Sequence, residues 1–176
     1  MWKLVGTGSR HGASPVSRAG DVLRQPRAWA GIVAAISLAG PRARRAALRG
    51  VTCAMIASLV QLPFKRLFGR PRPLGARLIG RGAPLTSSFP SGHTATDLSF
   101  VLGASQELPP LILPLSVATL TSHWSLIRAR RHYPSDIIAG GAIAFTVTGL
   151  AWLLRPPSRP AHTRPRPHDD EQSSGA

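Results

Sequence analysis

Long apolar runs separated by dense polar clusters organise this sequence, and no stretch alternates apolar and polar positions for long enough to build a sheet. Leu108 to Ile127 is twenty residues without a formal charge, and Ile137 to Leu154 is eighteen. At about 1.5 Å per helical residue, each approaches the ~30 Å of a bilayer's hydrocarbon core, so both predict membrane-spanning helices. Gly50 to Phe64 becomes long enough when Ala46 to Arg49 join it, with Arg49 snorkelling toward the headgroups. Ala28 to Gly40 offers only 13 residues, which leaves open whether it crosses or dips in. Ser91 to Gln106 reads as a helix interrupted by Asp97, too polar to face lipid and expected to turn its polar side into a bundle. The pattern predicts an all-α polytopic membrane helix bundle with four or five spans.

Three regions follow. Residues 1–27 mix Lys3, Arg10, Arg18, Arg24 and Arg27 with Gly and Ser, lack the apolar core of a signal peptide, and are expected to be a flexible basic segment. Residues 28–155 form the membrane-embedded domain, broken by an Arg-, Gly- and Pro-rich loop from Lys65 to Pro84. Residues 156–176 are a Pro-, Arg- and acid-rich tail that cannot bury a core and is expected to be disordered.

Composition sharpens this picture. A length of 176 residues allows one domain with tails. Lys and Arg number 22 against 7 Asp and Glu, a formal charge of +15, which points to an anionic substrate, an acidic partner or a membrane surface. A nucleic-acid binder would share the charge but has no reason to own three uncharged spans, so no nucleic-acid partner is expected. Cys53 is the single cysteine, which rules out an intrachain disulfide and a multi-cysteine metal site.

Three polar clusters interrupt the apolar runs. Lys65 at the end of a span is followed by Arg72 and Pro73, two cations able to hold a phosphate as point charge and planar fork, or simply to anchor a helix end. Ser88-Phe89-Pro90-Ser91-Gly92-His93 opens a helix, whose unpaired backbone N–H groups make an anion site, with Gly92 allowing close approach and His93 alongside; the plain alternative is an ordinary capped helix start. His132-Tyr133-Pro134-Ser135-Asp136 opens the last span. Asp136 in the first turn can accept from one nitrogen of His132 and free the other as a nucleophile, or else merely complement the helix dipole.

Alternation of the spans puts all three clusters on one membrane face. Two imidazoles, a carboxylate, two cations and an anion-binding helix start suit phosphoryl transfer at the membrane interface without a metal or other cofactor. The substrate would be a membrane lipid phosphate whose tail stays in the bilayer.

On these residues the chain resembles the type 2 phosphatidic acid phosphatase superfamily, integral-membrane lipid phosphatases related in fold to vanadium haloperoxidases. Lys65 with Arg72-Pro73 matches the first family motif, Pro90-Ser91-Gly92-His93 the second, and His132 with Asp136 the third. The resemblance implies a multi-pass protein of the cell membrane that hydrolyses a lipid phosphate or diphosphate, of phosphatidic acid or polyprenyl type. In it His132 attacks phosphorus to form a phosphohistidine, Asp136 orients His132, and His93 protonates the leaving group and then activates water. Lys65, Arg72, Ser91 and the Gly92 backbone would hold phosphate oxygens. A haloperoxidase-like vanadate site is disfavoured, those proteins being typically soluble and larger.

One departure matters. The family's third motif begins with Ser-Arg, whereas here Ser125 is followed by Leu126. Either Arg130, on a continuing helix, or Arg128, if the segment breaks before His132, could compensate, and both placements stay open. The alternative to an enzyme is a weak or inactive member of the family that binds anionic lipid. Asp97, four residues after His93, is expected on the same helical face, where its charge would keep His93 protonated; a contact between helices is the plainer expectation, as it is for His123.

Overall fold

The computed structural model describes residues 15–23, 25–73, 87–128 and 131–157. Arg130, the first 14 residues, 74–86 of the central loop and 158–176 of the tail lie outside them. The described residues form six helices: α1 (Pro15–Leu23), α2 (Pro26–Leu38), α3 (Pro41–Phe68), α4 (Gly92–Glu107), α5 (Ile112–Arg128), preceded by a short 3-10 turn at Pro109–Leu111, and α6 (Pro134–Leu154). Proline stands in the first turn of α2, α3 and α6, where its missing N–H costs nothing and its fixed φ favours the helix.

The chain is an all-α membrane bundle. Among the described residues, Pro41–Phe68, Pro109–Arg128 and Pro134–Leu154 are long and apolar enough to cross a membrane. α2, with 13 residues, and α4, with 16, are shorter. α4 sits centrally against α3, α5 and α6.

The distribution of residue sizes fits a lipid solvent. The buried face of α3 is Ala43, Ala46, Ala47, Gly50, Cys53, Ala57 and Gln61, a stripe of mostly small residues that lets helix backbones approach closely. Large apolar residues such as Leu59, Leu113, Leu120, Ile138, Phe145 and Leu153 point outward. In water that arrangement would waste the hydrophobic effect; in hydrocarbon, small-residue packing and interior polar contacts are what hold helices together.

Two details differ from expectation. Arg49 does not snorkel: its guanidinium donates to Gln106 Oε1 at 2.8 Å, to Glu107 Oε1 at 3.3 Å and to the Ala151 carbonyl at 3.0 Å, tying α3, α4 and α6 together at the end away from the histidines. A part-buried cation with three acceptors is satisfied in place and has no need of headgroups. Inside the basic N-terminal segment, residues 15–23 form α1, which packs on α5 with Gly20 so close to Thr121 and Ser125 that a Cβ there would lie 2.8 Å from the Thr121 carbonyl oxygen. Val16, Ala19, Gly20 and Leu23 recur at helical spacing, too short a pattern to stand out in the sequence.

Candidate active site

The site assembles where α3 ends and where α4 and α6 begin. Gly69 closes α3 in the left-handed conformation (φ 48°), a shape suited to glycine, and its N–H bonds the Lys65 carbonyl. The chain then turns back along residues 87–90. Ser88 N donates to the Arg70 carbonyl at 2.7 Å, Arg70 N to Ser87 Oγ at 2.8 Å, and Ser88 Oγ to the Pro71 carbonyl at 3.1 Å. Three hydrogen bonds thus lock the first polar cluster to the second.

A further set locks the second to the third. Ser91 N donates to the Asp136 carbonyl at 2.9 Å, and Gly140 lies so close that a Cβ on it would sit 2.6 Å from the Ser91 carbonyl oxygen. Glycine at 140 therefore sets how near the start of α6 comes to the start of α4. The joint placement of all three clusters at one end of the bundle is as the alternation of spans predicts.

His132 is buried beneath this junction. Its Nδ1 lies 2.9 Å from the Ser88 carbonyl oxygen, which can only accept, so Nδ1 carries the proton and Nε2 the lone pair. Asp136 Oδ2 stands farther from the same nitrogen, at 3.7 Å. The fully buried Asp136 carboxylate instead accepts from Tyr133 N at 2.9 Å and from the Arg70 guanidinium at 3.0 Å. The expected carboxylate–imidazole contact is therefore long, and a backbone carbonyl makes the direct bond.

Burial and then the Arg72 charge push the His132 imidazole down to about 4, against the upward pull of the Ser88 bond, while His93 adds a weaker downward push and Asp136 the weakest upward pull. At neutral pH its Nε2 is unprotonated. The His93 ring, exposed at the first turn of α4, is centred 6.5 Å from that of His132.

Cations ring the pair. Lys65 Nζ donates to the Pro90 carbonyl at 3.0 Å and stands 3.4 Å from that of Ser87, which fixes the ammonium at the mouth of the second cluster. Arg72 uses one terminal nitrogen on the Arg131 carbonyl, while its buried Nε has no hydrogen-bond partner among the described residues. Ser91 is fully buried and caps α4, its Oγ accepting from Thr94 N and Thr94 Oγ1. A Cβ on Gly92 would collide at 2.7 Å with Gln61 Oε1, itself buried without a hydrogen-bond partner.

Leu126, standing where the resemblance expects arginine, is fully buried, and its carbonyl accepts from Arg131 N as the chain leaves α5. The described part of α5 runs to Arg128, whose side chain is exposed, while Arg130 lies outside the described residues. Arg70 is the cation that sequence reasoning missed. It bonds Asp136 and Ser135 Oγ and lies 4.1 Å over the Tyr133 ring. Its only signal was the doubled Arg-Pro of residues 70–73; Gln61 and the Ser88 carbonyl had none. Asp97 pairs across helices with His123, Oδ2 to Nε2 at 3.6 Å, as the plainer expectation has it, and also shares a groove wall with His93.

Over 118 residues the chain is 33% identical to decaprenylphosphoryl-5-phosphoribose phosphatase of Mycobacterium tuberculosis, in strains CDC 1551 / Oshkosh and ATCC 25618 / H37Rv alike, a match covering 65% of this chain. The chain spans 64% of the length of those relatives. No solved structure matches it. Residues 46–160, which hold all three clusters, match the PAP2 superfamily, and the chain belongs to that superfamily.

Proposed function

We propose that this protein hydrolyses the phosphate ester of a membrane lipid through a phosphohistidine at His132, without a metal. The observation that supports this most is the pairing of a tautomer-locked, neutral His132 with His93, their rings 6.5 Å apart among fixed cations. That spacing suits one phosphoryl group, with nucleophile and phosphorus about 3 to 3.5 Å apart and a hydrogen bond of about 2.8 Å from the acid to the leaving oxygen.

In this reading the Nε2 lone pair of His132 attacks phosphorus as the bond to the ester oxygen breaks, and His93 gives that oxygen its proton. Water then attacks phosphorus as its bond to Nε2 breaks and the electron pair returns to His132, His93 takes the water's proton, and inorganic phosphate leaves with His132 restored. Lys65, Arg72 and the Gly92 N–H hold the phosphoryl oxygens, Ser91 fixes the helix start that presents that N–H, and the unpartnered Arg72 Nε is a ready donor. Asp136 acts through its grip on residue 133 and its field on His132. By likeness to the mycobacterial relatives, the substrate is a sugar phosphate carried on a polyprenyl phosphate.

Leu126 favours a second reading, an inactive member that only binds anionic lipid. Loss of one phosphate-binding cation costs about 2 to 4 kcal/mol of transition-state stabilisation, roughly 30- to 1000-fold in rate, which slows the chemistry but removes neither nucleophile nor acid. The test is phosphate release by detergent-solubilised protein, with EDTA, from phosphatidic acid, a polyprenyl diphosphate and a polyprenyl-linked sugar phosphate. Release that vanishes in His132→Ala supports hydrolysis; binding to anionic vesicles with no release from any of the three supports the inactive reading.

A further inference from the structure

The buried stripe of α3 is small and apolar until it reaches Gln61. This residue stands four positions before Lys65, so the two side chains share a helix face one turn apart, and the Lys65 ammonium is itself fixed on the Pro90 carbonyl at the start of the second cluster. Gln61 is 7% exposed, and that small accessible part does not include Oε1, which is sealed in without a partner. Among the described residues no hydrogen bond holds either amide atom; what the amide touches is the first residue of α4. A Cβ on Gly92 would lie 2.7 Å from Oε1 and 3.2 Å from Nε2.

An amide is a costly way to fill that space. Methionine or leucine would pack against Gly92 without burying an unmet carbonyl oxygen, so packing alone does not account for glutamine here. What glutamine adds is a pair of N–H donors on Nε2. They stand beside a helix start that has its own unmet donor: Ser91 Oγ takes Thr94 N, and the Gly92 N–H has no partner among the described residues. Glycine at 92 leaves the room in which the amide sits, so positions 61 and 92 are matched to each other.

The missing cation gives this donor a use. Leu126 is fully buried and apolar, so α5 offers a phosphoryl group nothing at that position. We propose that Gln61 is a phosphate-binding residue of the site, its Nε2 donating to a non-bridging phosphoryl oxygen alongside the Gly92 N–H and the Lys65 ammonium. A neutral donor from α3 thereby offsets part of what α5 lacks. This rests on the phosphoryl-binding part of the hydrolase reading and adds to it a residue outside the three polar clusters.

The test titrates inorganic phosphate by calorimetry into the full chain in detergent, beside turnover of phosphatidic acid and the two polyprenyl substrates. Gln61→Met keeps the length of the side chain and removes its donors, while Gln61→Glu keeps the shape and puts a carboxylate, which only accepts when ionised, in place of the amide. Gln61→Met is expected to bind phosphate about 10- to 100-fold more weakly than wild type, the scale of a hydrogen bond to a charged group, and Gln61→Glu more weakly still. Without phosphate, Gln61→Met should melt no lower than wild type, because an unmet buried oxygen has gone. Wild-type phosphate affinity in Gln61→Met, or no phosphate binding by wild type, overturns the proposal. If Gln61→Met packs badly and melts low, the isosteric Gln61→Glu decides: weakened binding supports the proposal and undiminished binding overturns it. Binding that depends on Gln61 in a protein that releases phosphate from none of the lipids overturns the hydrolase reading and leaves this inference standing, whereas turnover with phosphate affinity indifferent to Gln61 overturns this inference alone.

Discussion

At the scale of single residues the account turns on the protonation of His132. Its imidazole is pushed down to about 4, so in the proposed mechanism the nucleophile is available above that pH and lost below it, and kcat/KM should fall on the acid side with a limb near pH 4. Arg72 is the main charge holding it down. Arg72→Ala should therefore move the limb to higher pH while cutting activity about 100- to 1000-fold, the scale of a lost oxyanion donor; a pH–rate profile of the variant checks both. The linkage has a definite sign. The folded pKa lies below the unfolded value near 6.5, so between those values the unfolded chain binds more protons. Stability from this group is complete above about pH 6.5 and is lost as pH falls toward 4, and melting curves of His132→Ala should show a shallower loss over that window.

In the proposed mechanism Arg70 is a positioning residue of the same neighbourhood. It holds one oxygen of a fully buried carboxylate whose other oxygen caps the start of α6. Arg70→Ala should lower kcat about tenfold or more with a smaller change in KM, and Arg70→Lys should recover part of it, since a point charge restores attraction to Asp136 but not the planar fork. Lys65, Arg72, His93, His132 and Asp136 were legible because helix punctuation and chemistry coincide at them. The Ser88 carbonyl and Gln61 were not, because a backbone acceptor has no residue signature and an amide on a buried stripe looks like any other polar residue until its neighbours are known.

At the scale of elements, the charge-free runs end within a residue of the ends of α5 and α6 and start four residues before the one and three after the other, because hydrocarbon tolerates few exceptions. α3 runs farther than its apolar stretch, from Pro41 to Phe68, because Arg49 finds acceptors on α4 and α6 that hydropathy cannot reveal. The site depends on how closely α6 approaches α4, and Gly140 sets that distance. Gly140→Val should force the two helix starts apart, costing about 1 to 3 kcal/mol as overpacking does and breaking the Ser91–Asp136 bond. Thermal unfolding in detergent should show the loss, with activity falling further than stability alone explains.

At the scale of the whole molecule, the three membrane-length helices among the described residues, with their outward-facing large apolar side chains, predict that the protein stays with membranes through high-salt washing and leaves only with detergent. The net charge of +15 is then carried by a protein with membrane-length helices. The proposed catalysis needs little machinery: one end of the bundle would supply two imidazoles, fixed cations and a helix start, and the bilayer would supply the substrate's concentration and orientation.

The central claim is a covalent one, and acid-sensitive phosphohistidine is its direct trace. Purified protein mixed with a 32P-labelled lipid phosphate, quenched in base within milliseconds and digested, should carry label on the peptide containing His132, with none in His132→Ala. Phosphate release by an enzyme that never acquires that label, or label found on His93 instead, would contradict the account.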